Sequence, residues 1–327
     1  MTARRILRPV ATLALGALCL AYILWKIDVR QTAHLLAHAN LGYFLLAAGI
    51  TIGAVIPMSW RWQRLLAARG VHDRLGWLTR TYFTSYAFAQ VLPTSLGGDA
   101  TRIVATSRRH RGSASVAAGS VLLERALGGF ATLVLAAVGF ALAVGRYDVG
   151  AYLWIEAAIF AAAIVAAFVL FSRRARRVLV RFAPALRLLR VERPIRAAYE
   201  GLHGYRVHTS VIGWAFGLTI VVQVFRVLAI WLVAKAVGVH LSPRPFFVLG
   251  PLLFLVMLVP FTVNGIALRE AFFVSFLGKL HVPPDPAFAT GFLFFLLSVA
   301  TGVPGAILLL VGAIPGVRKD MGAQIRT

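Results

Sequence analysis

Two arginines occupy the same position in a motif that occurs once in each half of the chain. Residues 93–102 read PTSLGGDATR and residues 260–269 read PFTVNGIALR, so both segments fit P-x-x-x-[GN]-G-x-x-x-R. Proline ends a helix because it lacks a backbone N–H, and glycine permits a left-handed turn. We therefore predict a break in the helix at each motif, with Arg102 and Arg269 about one turn into the outgoing helix.

The chemistry that such a break favours is anion binding. The first N–H groups of a helix have no partner within it, and the helix dipole places partial positive charge there. Arginine adds a full charge and a fork of donors that fits phosphate oxygens. Gly98 and Gly265, from the two turns, belong to the same predicted site. Asp99 and Asn264 are also candidates for it, although N-capping of the outgoing helix is the ordinary role of these residue types.

Other ionisable residues fall inside apolar segments. Glu124 and Arg125 lie about ten residues into one of them, and each central arginine costs roughly 2.5–3.5 kcal/mol in a bilayer unless it is paired or hydrated. Adjacent side chains point about 100° apart on a helix, so Glu124 and Arg125 cannot simply pair with each other and are expected to pair with residues on other elements. We predict that Glu124 contacts a motif arginine and that Arg125 or Arg226 faces a central cavity.

The balance of these charges favours an anionic ligand, such as a lipid phosphate. With Asp99 set aside, the predicted membrane-depth charges are four arginines and two glutamates: Arg102, Arg125, Arg226, Arg269, Glu124 and Glu270. The alternative is an internal salt-bridge network that only holds the helices together.

The composition places these residues in a membrane protein. Of 327 residues, 60% are hydrophobic and only 14% are charged, with a mean hydropathy of +0.82, whereas soluble domains are about 25% charged. The net charge of +23 does not indicate nucleic-acid binding, because the bases flank apolar runs. The single cysteine, Cys19, cannot form a cysteine metal site. His34 and His38 are spaced by one helical turn, but two histidines alone are a poor metal site. We expect neither a metal nor a cofactor.

Six apolar runs are long enough to cross a bilayer, for which a helix needs roughly 20 residues. They are residues 7–25, 41–59, 114–144, 151–171, 209–232 and 288–314. If the N-terminus is cytoplasmic, the inside segments carry 24 bases and the outside segments carry 6. This bias predicts a multi-pass protein of the inner (plasma) membrane with both termini in the cytoplasm.

Two further apolar segments, 81–110 and 246–280, contain the two motifs. The charge bias puts both ends of the first segment inside and both ends of the second outside, so each is predicted to be a re-entrant hairpin that encloses a polar site. The predicted fold is an all-α polytopic membrane protein of six transmembrane helices and two broken-helix hairpins. Eight transmembrane helices are the alternative.

The order of spans and hairpins indicates an inverted repeat within a single membrane domain, 1–327. Each half consists of two spans, a hairpin and one span, so the second half, about 151–314, should be inverted relative to the first, about 7–144. Paired broken helices in inverted repeats are typical of transporters, which bind substrate where the breaks meet. The basic segment 172–208 is predicted to rest on the cytoplasmic leaflet, and 26–40 to form a short outer helix.

Several of these residues resemble the membrane domain of the lysylphosphatidylglycerol synthase/flippase family. They are Gly97-Gly98-Asp99 with Arg102, Val121 to Arg125, and Asn264 to Glu270. The resemblance covers nearly the whole chain and implies a flippase-like unit that moves aminoacylated phosphatidylglycerol or related polar lipids between leaflets. Full-length synthases also carry a soluble aminoacyl-transferase domain, and this chain resembles the short form without it.

The leading functional hypothesis is therefore translocation of a membrane lipid whose anionic headgroup binds at the hairpin tips. A second is a lipid-linked aminoacyl or glycosyl transferase, although the sequence contains no P-loop, HExxH, GxSxG or Asp-rich cluster. A third is a non-catalytic membrane partner of a separate synthase or transferase. Membrane lipids are the expected partners in each case.

Overall fold

A computed structural model describes residues 28–91, 96–143, 203–258 and 267–311, together with Trp154 and Ala158. The described regular structure is helical. In chain order the helices are α1 Val29–Ala37, α2 Leu41–Gly53, α3 Val55–Ala68, α4 Leu75–Val91, α5 Leu96–Arg109, α6 Ala114–Ala143, α7 Thr209–Ala236, α8 Phe246–Leu258, α9 Leu268–Gly278 and α10 Pro284–Leu310. Outside the described residues lie the predicted span 7–25, the predicted span 151–171 except for Trp154 and Ala158, and all but the last few residues of 172–208.

Four stretches of the described residues are long and apolar enough to cross a membrane. They are Leu41–Ala68, which comprises α2 and α3, Ala114–Leu142 in α6, Thr209–Ala236 in α7, and Pro284–Leu310 in α10. These match four of the six predicted spans, so the chain is a polytopic all-α membrane protein. Helix α1 confirms the short helix predicted within 26–40, and the Asp28 side chain caps it by accepting from the N–H groups of Arg30 and Gln31.

Both interrupted segments form pairs of short helices. Helices α4 and α5 pack together, as do α8 and α9, and each pair flanks a predicted break. The four helices have 17, 14, 13 and 11 residues. At 1.5 Å per residue none reaches the roughly 30 Å of a bilayer core, which favours folded-back hairpins over eight full spans.

The last span of each half packs against the incoming helix of the other half's hairpin. Helix α6 contacts α8, and α10 contacts α4. Each contact brings a glycine against a phenylalanine carbonyl: Gly139 meets Phe247, and Gly305 meets Phe83, so closely that neither site has room for a Cβ atom. The two halves are therefore joined through matching contacts. Their inversion stays a prediction.

Candidate functional site

The Glu124 carboxylate on α6 is the centre of a buried ion cluster. Its Oε1 accepts hydrogen bonds from Nε and Nη2 of Arg61 on α3, at 3.2 and 3.1 Å. Its Oε2 accepts from Nη1 of Arg102 on α5 at 2.6 Å. Tyr82 on α4 donates its hydroxyl to both oxygens, at 3.2 and 3.1 Å. The prediction that Glu124 contacts a motif arginine is confirmed, and four helices meet at this carboxylate.

Arg102 is held on all sides and is only 4% exposed. Its guanidinium carbon lies 4.2 Å from the Tyr82 ring centroid and 5.1 Å from that of Trp62, so the charge is stabilised by two π faces. Nη2 donates to Asp99 at 2.8 Å, and Nε has no hydrogen-bond partner within the described part of the chain. Arg102 lies about two turns into the outgoing helix of its hairpin, because α5 starts at Leu96.

The interpretation of Asp99 as an N-cap is wrong. Because α5 starts at Leu96, Asp99 lies inside the first turn and cannot precede the helix. Its side chain accepts instead from Arg102 and, through the other oxygen, from Nε of Arg125. Gly98 is also helical and does not form a left-handed turn. A Cβ there would lie 2.6 Å from the carbonyl oxygen of Ser85, so this glycine permits close packing of α5 on α4.

Sequence reasoning missed Arg61. The predicted span ended at residue 59, which left Arg61 among the bases of a cytoplasmic loop, whereas α3 continues to Ala68 and buries this side chain to 5% exposure. Its Nη1 donates to Thr219 on α7 at 2.6 Å. The signal was available in the sequence, because Trp62 and Leu65 continue the apolar spacing of the helix past the predicted end.

The ion pairs of the described residues join three arginines to two carboxylates, and the cluster opens on one side. The arginines are Arg61, Arg102 and Arg125, and the carboxylates are Glu124 and Asp99. The side chains of Arg61, Arg102 and Glu124 are 3–6% exposed, whereas Arg125 is 36% exposed and Asp99 15%. The edge formed by Arg125 and Asp99 is therefore the accessible part of the cluster.

The motif arginine of the second hairpin is paired locally. Arg269 donates from Nε and Nη2 to Oε1 of Glu270, at 3.0 and 2.5 Å, and is 1% exposed. The other oxygen of Glu270 accepts the N–H of Ala267 at 2.8 Å, which ties the carboxylate to the start of α9. Ala267 has φ 69° and ψ −43°, a strained conformation near the rare γ-turn. The predicted Asn264 and Gly265 lie outside the described residues.

The two hairpins approach the same part of α10. Gln90, near the end of α4, donates to the carbonyl of Ser298 at 2.9 Å, and the Arg269 guanidinium lies 5.0 Å from the ring centroid of Phe295. These two α10 residues are one turn apart, so both tips adjoin one short stretch of the helix. Arg102 and Arg269 share no ion-pair partner in the described ranges, and their meeting in one pocket stays a prediction.

Arg226 occupies a different position, in the middle of α7. It is exposed, its Nη1 donates to Gln223 at 3.1 Å, and its guanidinium lies 4.4 Å from the Phe254 ring centroid near the end of α8. Gln223 in turn donates to Thr132 on α6 at 2.8 Å. Arg226 thus lies beside the second hairpin, and none of the ion pairs in the described regions joins it to the Glu124 cluster.

Comparison with known protein families identifies the architecture. The family model of the lysylphosphatidylglycerol synthase transmembrane region matches residues 10–305. The chain belongs to this family. No curated protein matches it with significance. The family match includes both hairpins, three of the four described stretches that are long enough to cross the membrane and most of the fourth, so the Glu124 cluster and the Arg269–Glu270 pair both lie within the family domain.

Proposed function

We propose that this protein translocates a polar membrane lipid between leaflets, in the manner of a flippase, and that the lipid's phosphodiester binds at the edge of the Glu124 cluster. The substrate class is an anionic-phosphate lipid, such as aminoacyl-phosphatidylglycerol. The acyl chains stay in the bilayer while the headgroup passes through the protein.

The observation that carries the proposal is the accessible edge of the cluster. The side chains of Arg125 and Asp99 are 36% and 15% exposed, whereas those of Arg61, Arg102 and Glu124 behind them are buried. At this edge Arg102 and Arg125 both donate to the Asp99 carboxylate. Two guanidinium groups that converge on one anionic group are well placed to bind a phosphodiester, which accepts hydrogen bonds in the same way.

The accessible edge suggests how the headgroup binds. Arg125 and Asp99 are the most accessible members, both half-buried, and Asp99 already accepts hydrogen bonds from Arg125 and from one nitrogen of Arg102, as a phosphate would. An incoming phosphate replaces Asp99 at these nitrogens and can accept in the bidentate geometry that arginine favours. Glu124 keeps Arg61 and Arg102 in place during the exchange.

The second hairpin is assigned a supporting part in this scheme. Arg269 and Glu270 cancel in charge, and both hairpin tips adjoin α10 near Ser298 and Phe295. We assign the Arg269 hairpin the opposite wall of the pathway, with Arg226 beside it. The positive-inside bias supports an inner-membrane location with both termini in the cytoplasm.

A reconstitution experiment tests the proposal. Liposomes that contain the protein and fluorescent phosphatidylglycerol or its lysyl ester should expose inner-leaflet lipid to an impermeant quencher faster than protein-free liposomes. Arg125→Gln should slow this rate by at least about tenfold, because a charge-assisted hydrogen bond contributes roughly 1.5–3 kcal/mol. Arg244→Gln, the same change at an exposed residue outside the cluster, is the matched control. Equal rates for the two variants, or a wild-type rate no faster than empty liposomes, would contradict the proposal.

A further inference from the structure

A second set of polar groups lies on the outer surface of α3 and α7, apart from the ion clusters. The guanidinium of Arg64 is 5.6 Å from the ring centroid of Trp60 and 5.5 Å from that of Trp214. The two indoles meet edge to face with their centroids 4.7 Å apart. Arg64 and Trp60 are exposed and Trp214 is half-buried. One cation and two aromatic rings from two helices thus form a single surface group.

This group offers donors only. Arg64 forms no ion pair or hydrogen bond within the described ranges, and neither indole N–H has a described acceptor. The π faces stabilise the charge of Arg64 but leave its N–H groups available. Three donor-bearing side chains with no acceptor among them indicate an anionic ligand.

The depth of the group matches the headgroup region of a leaflet. Arg64 lies four residues before the end of α3 at Ala68, and Trp214 five residues after the start of α7 at Thr209, which is ~6 and ~8 Å along the helices. These two helix ends lie together, because the Tyr205 hydroxyl donates to the carbonyl of Leu65 at 2.9 Å. Tryptophan and arginine are both favoured at this interface.

The surface below the group is apolar, as the tails of a lipid require. Ile56, Trp60 and Arg64 follow one another at four-residue intervals and so share one face of α3. Ile56 is 56% exposed. Along this face the residues change from aliphatic to aromatic to cationic towards the helix end, which is the polarity gradient of a phospholipid from tail to phosphate.

The group is separated from the Glu124 cluster by packed side chains. Leu65 on α3 and Ala215 on α7 are fully buried in one apolar cluster, and Arg61 bonds to Thr219 on the inner side of the same seam. A ligand on Arg64 therefore contacts the outside of the protein and not the proposed pathway.

We propose that Trp60, Arg64 and Trp214 form a lateral binding site for the phosphate of an anionic phospholipid in the surrounding leaflet. The phosphate accepts from Arg64 and from one or both indoles, and an acyl chain lies along the α3 face at Ile56. This site does not depend on translocation, and a lipid held there remains in its leaflet.

Native mass spectrometry of the intact protein in detergent tests the site. The wild type should retain added phosphatidylglycerol in preference to phosphatidylcholine. Arg64→Gln should retain one phosphatidylglycerol molecule fewer than the wild type, because the affinity of this site falls about tenfold. Arg80→Gln is the matched control, because Arg80 is also exposed but has no aromatic ring contact in the described regions. A double variant, Trp60→Phe with Trp214→Phe, keeps the aromatic rings and removes the indole donors, and should weaken retention about threefold.

Two results would overturn the site. One is equal phosphatidylglycerol retention by Arg64→Gln and Arg80→Gln. The other is equal retention of phosphatidylglycerol and phosphatidylcholine by the wild type. If the site is real, Arg125→Gln still retains the lipid at Arg64. Arg64→Gln and Arg125→Gln should then each lose one lipid, and the combined Arg64→Gln and Arg125→Gln variant should lose two, which separates this site from the proposed pathway. The melting temperature of each variant, measured in the same detergent, identifies any that fail to fold.

Discussion

The two hairpins contain the same motif but treat its arginine differently. In the first, Arg102 belongs to a network of ion pairs and hydrogen bonds that joins four helices through Glu124. In the second, Arg269 is paired with the adjacent Glu270, and the carboxylate also holds the strained start of α9. The motif therefore fixes where an arginine lies but not what it does. Its role is decided by the carboxylate that it contacts, which is Glu124 on another helix for Arg102 and the adjacent Glu270 for Arg269.

The largest expected contrast is between the two glutamates. Glu124→Gln breaks two buried ion pairs, because it leaves Arg61 without its described counter-ion and Arg102 with Asp99 alone, and should lower the free energy of unfolding by about 3–5 kcal/mol. Glu270→Gln breaks only the ion pair with Arg269 and should lower the free energy of unfolding by roughly half as much. Thermal unfolding in detergent measures both. Equal losses would mean that the two hairpins are held by equivalent ion pairs.

A smaller contrast concerns the backbone at the start of each outgoing helix. Ala267→Gly should stabilise the protein by up to about 1 kcal/mol, because glycine adopts a positive φ without strain. Ala100→Gly, at an exposed position inside α5, should instead destabilise by about 1 kcal/mol. Opposite signs in the two melting temperatures are expected. A loss of stability in Ala267→Gly would show that the conformation there is not strained.

The smallest effect is expected at the open end of the first hairpin. Asp73, in the loop before α4, accepts from Nε of Arg109 at 2.5 Å, from His110 at 3.0 Å and from the N–H of Arg74 at 2.7 Å. Burial acts to raise the pKa of Asp73, but these hydrogen bonds together hold it below its ordinary value. No ion pair is described at the open end of the second hairpin.

A depressed carboxyl pKa stabilises the fold above the pKa of the unfolded chain, about 3.9 for aspartate, and this contribution is lost as the pH falls through the folded pKa. Asp73→Asn should therefore lower stability by less than about 1 kcal/mol at pH 6, and the difference from wild type should start to shrink near pH 4 and vanish once the pH is below the lowered pKa of folded Asp73. Melting temperatures across this range provide the measurement. A difference that persists at low pH would rule out the charge as its cause.

Much of the architecture could be predicted because hydropathy and proline act locally. The apolar runs predicted four spans that the structure contains, and the two motif prolines, Pro93 and Pro260, fall in the sequence between α4 and α5 and between α8 and α9. The ion-pair partners of the charged side chains were harder to predict from the sequence, because they depend on tertiary packing. Arg61 was assigned to a loop although α3 continues past it, and Asp99 was assigned to a cap because the start of α5 was placed too late.

The most direct test of the proposed headgroup site uses Asp99. If a lipid phosphate replaces this carboxylate at Arg125 and Arg102, Asp99→Asn removes a competitor and should strengthen phosphatidylglycerol binding about tenfold, as measured by titration in detergent, whereas Asp73→Asn, the same change outside the cluster, should leave it unchanged. If Asp99 only maintains the arrangement of the two arginines, Asp99→Asn will weaken binding or leave it unaltered, and either result would contradict the exchange.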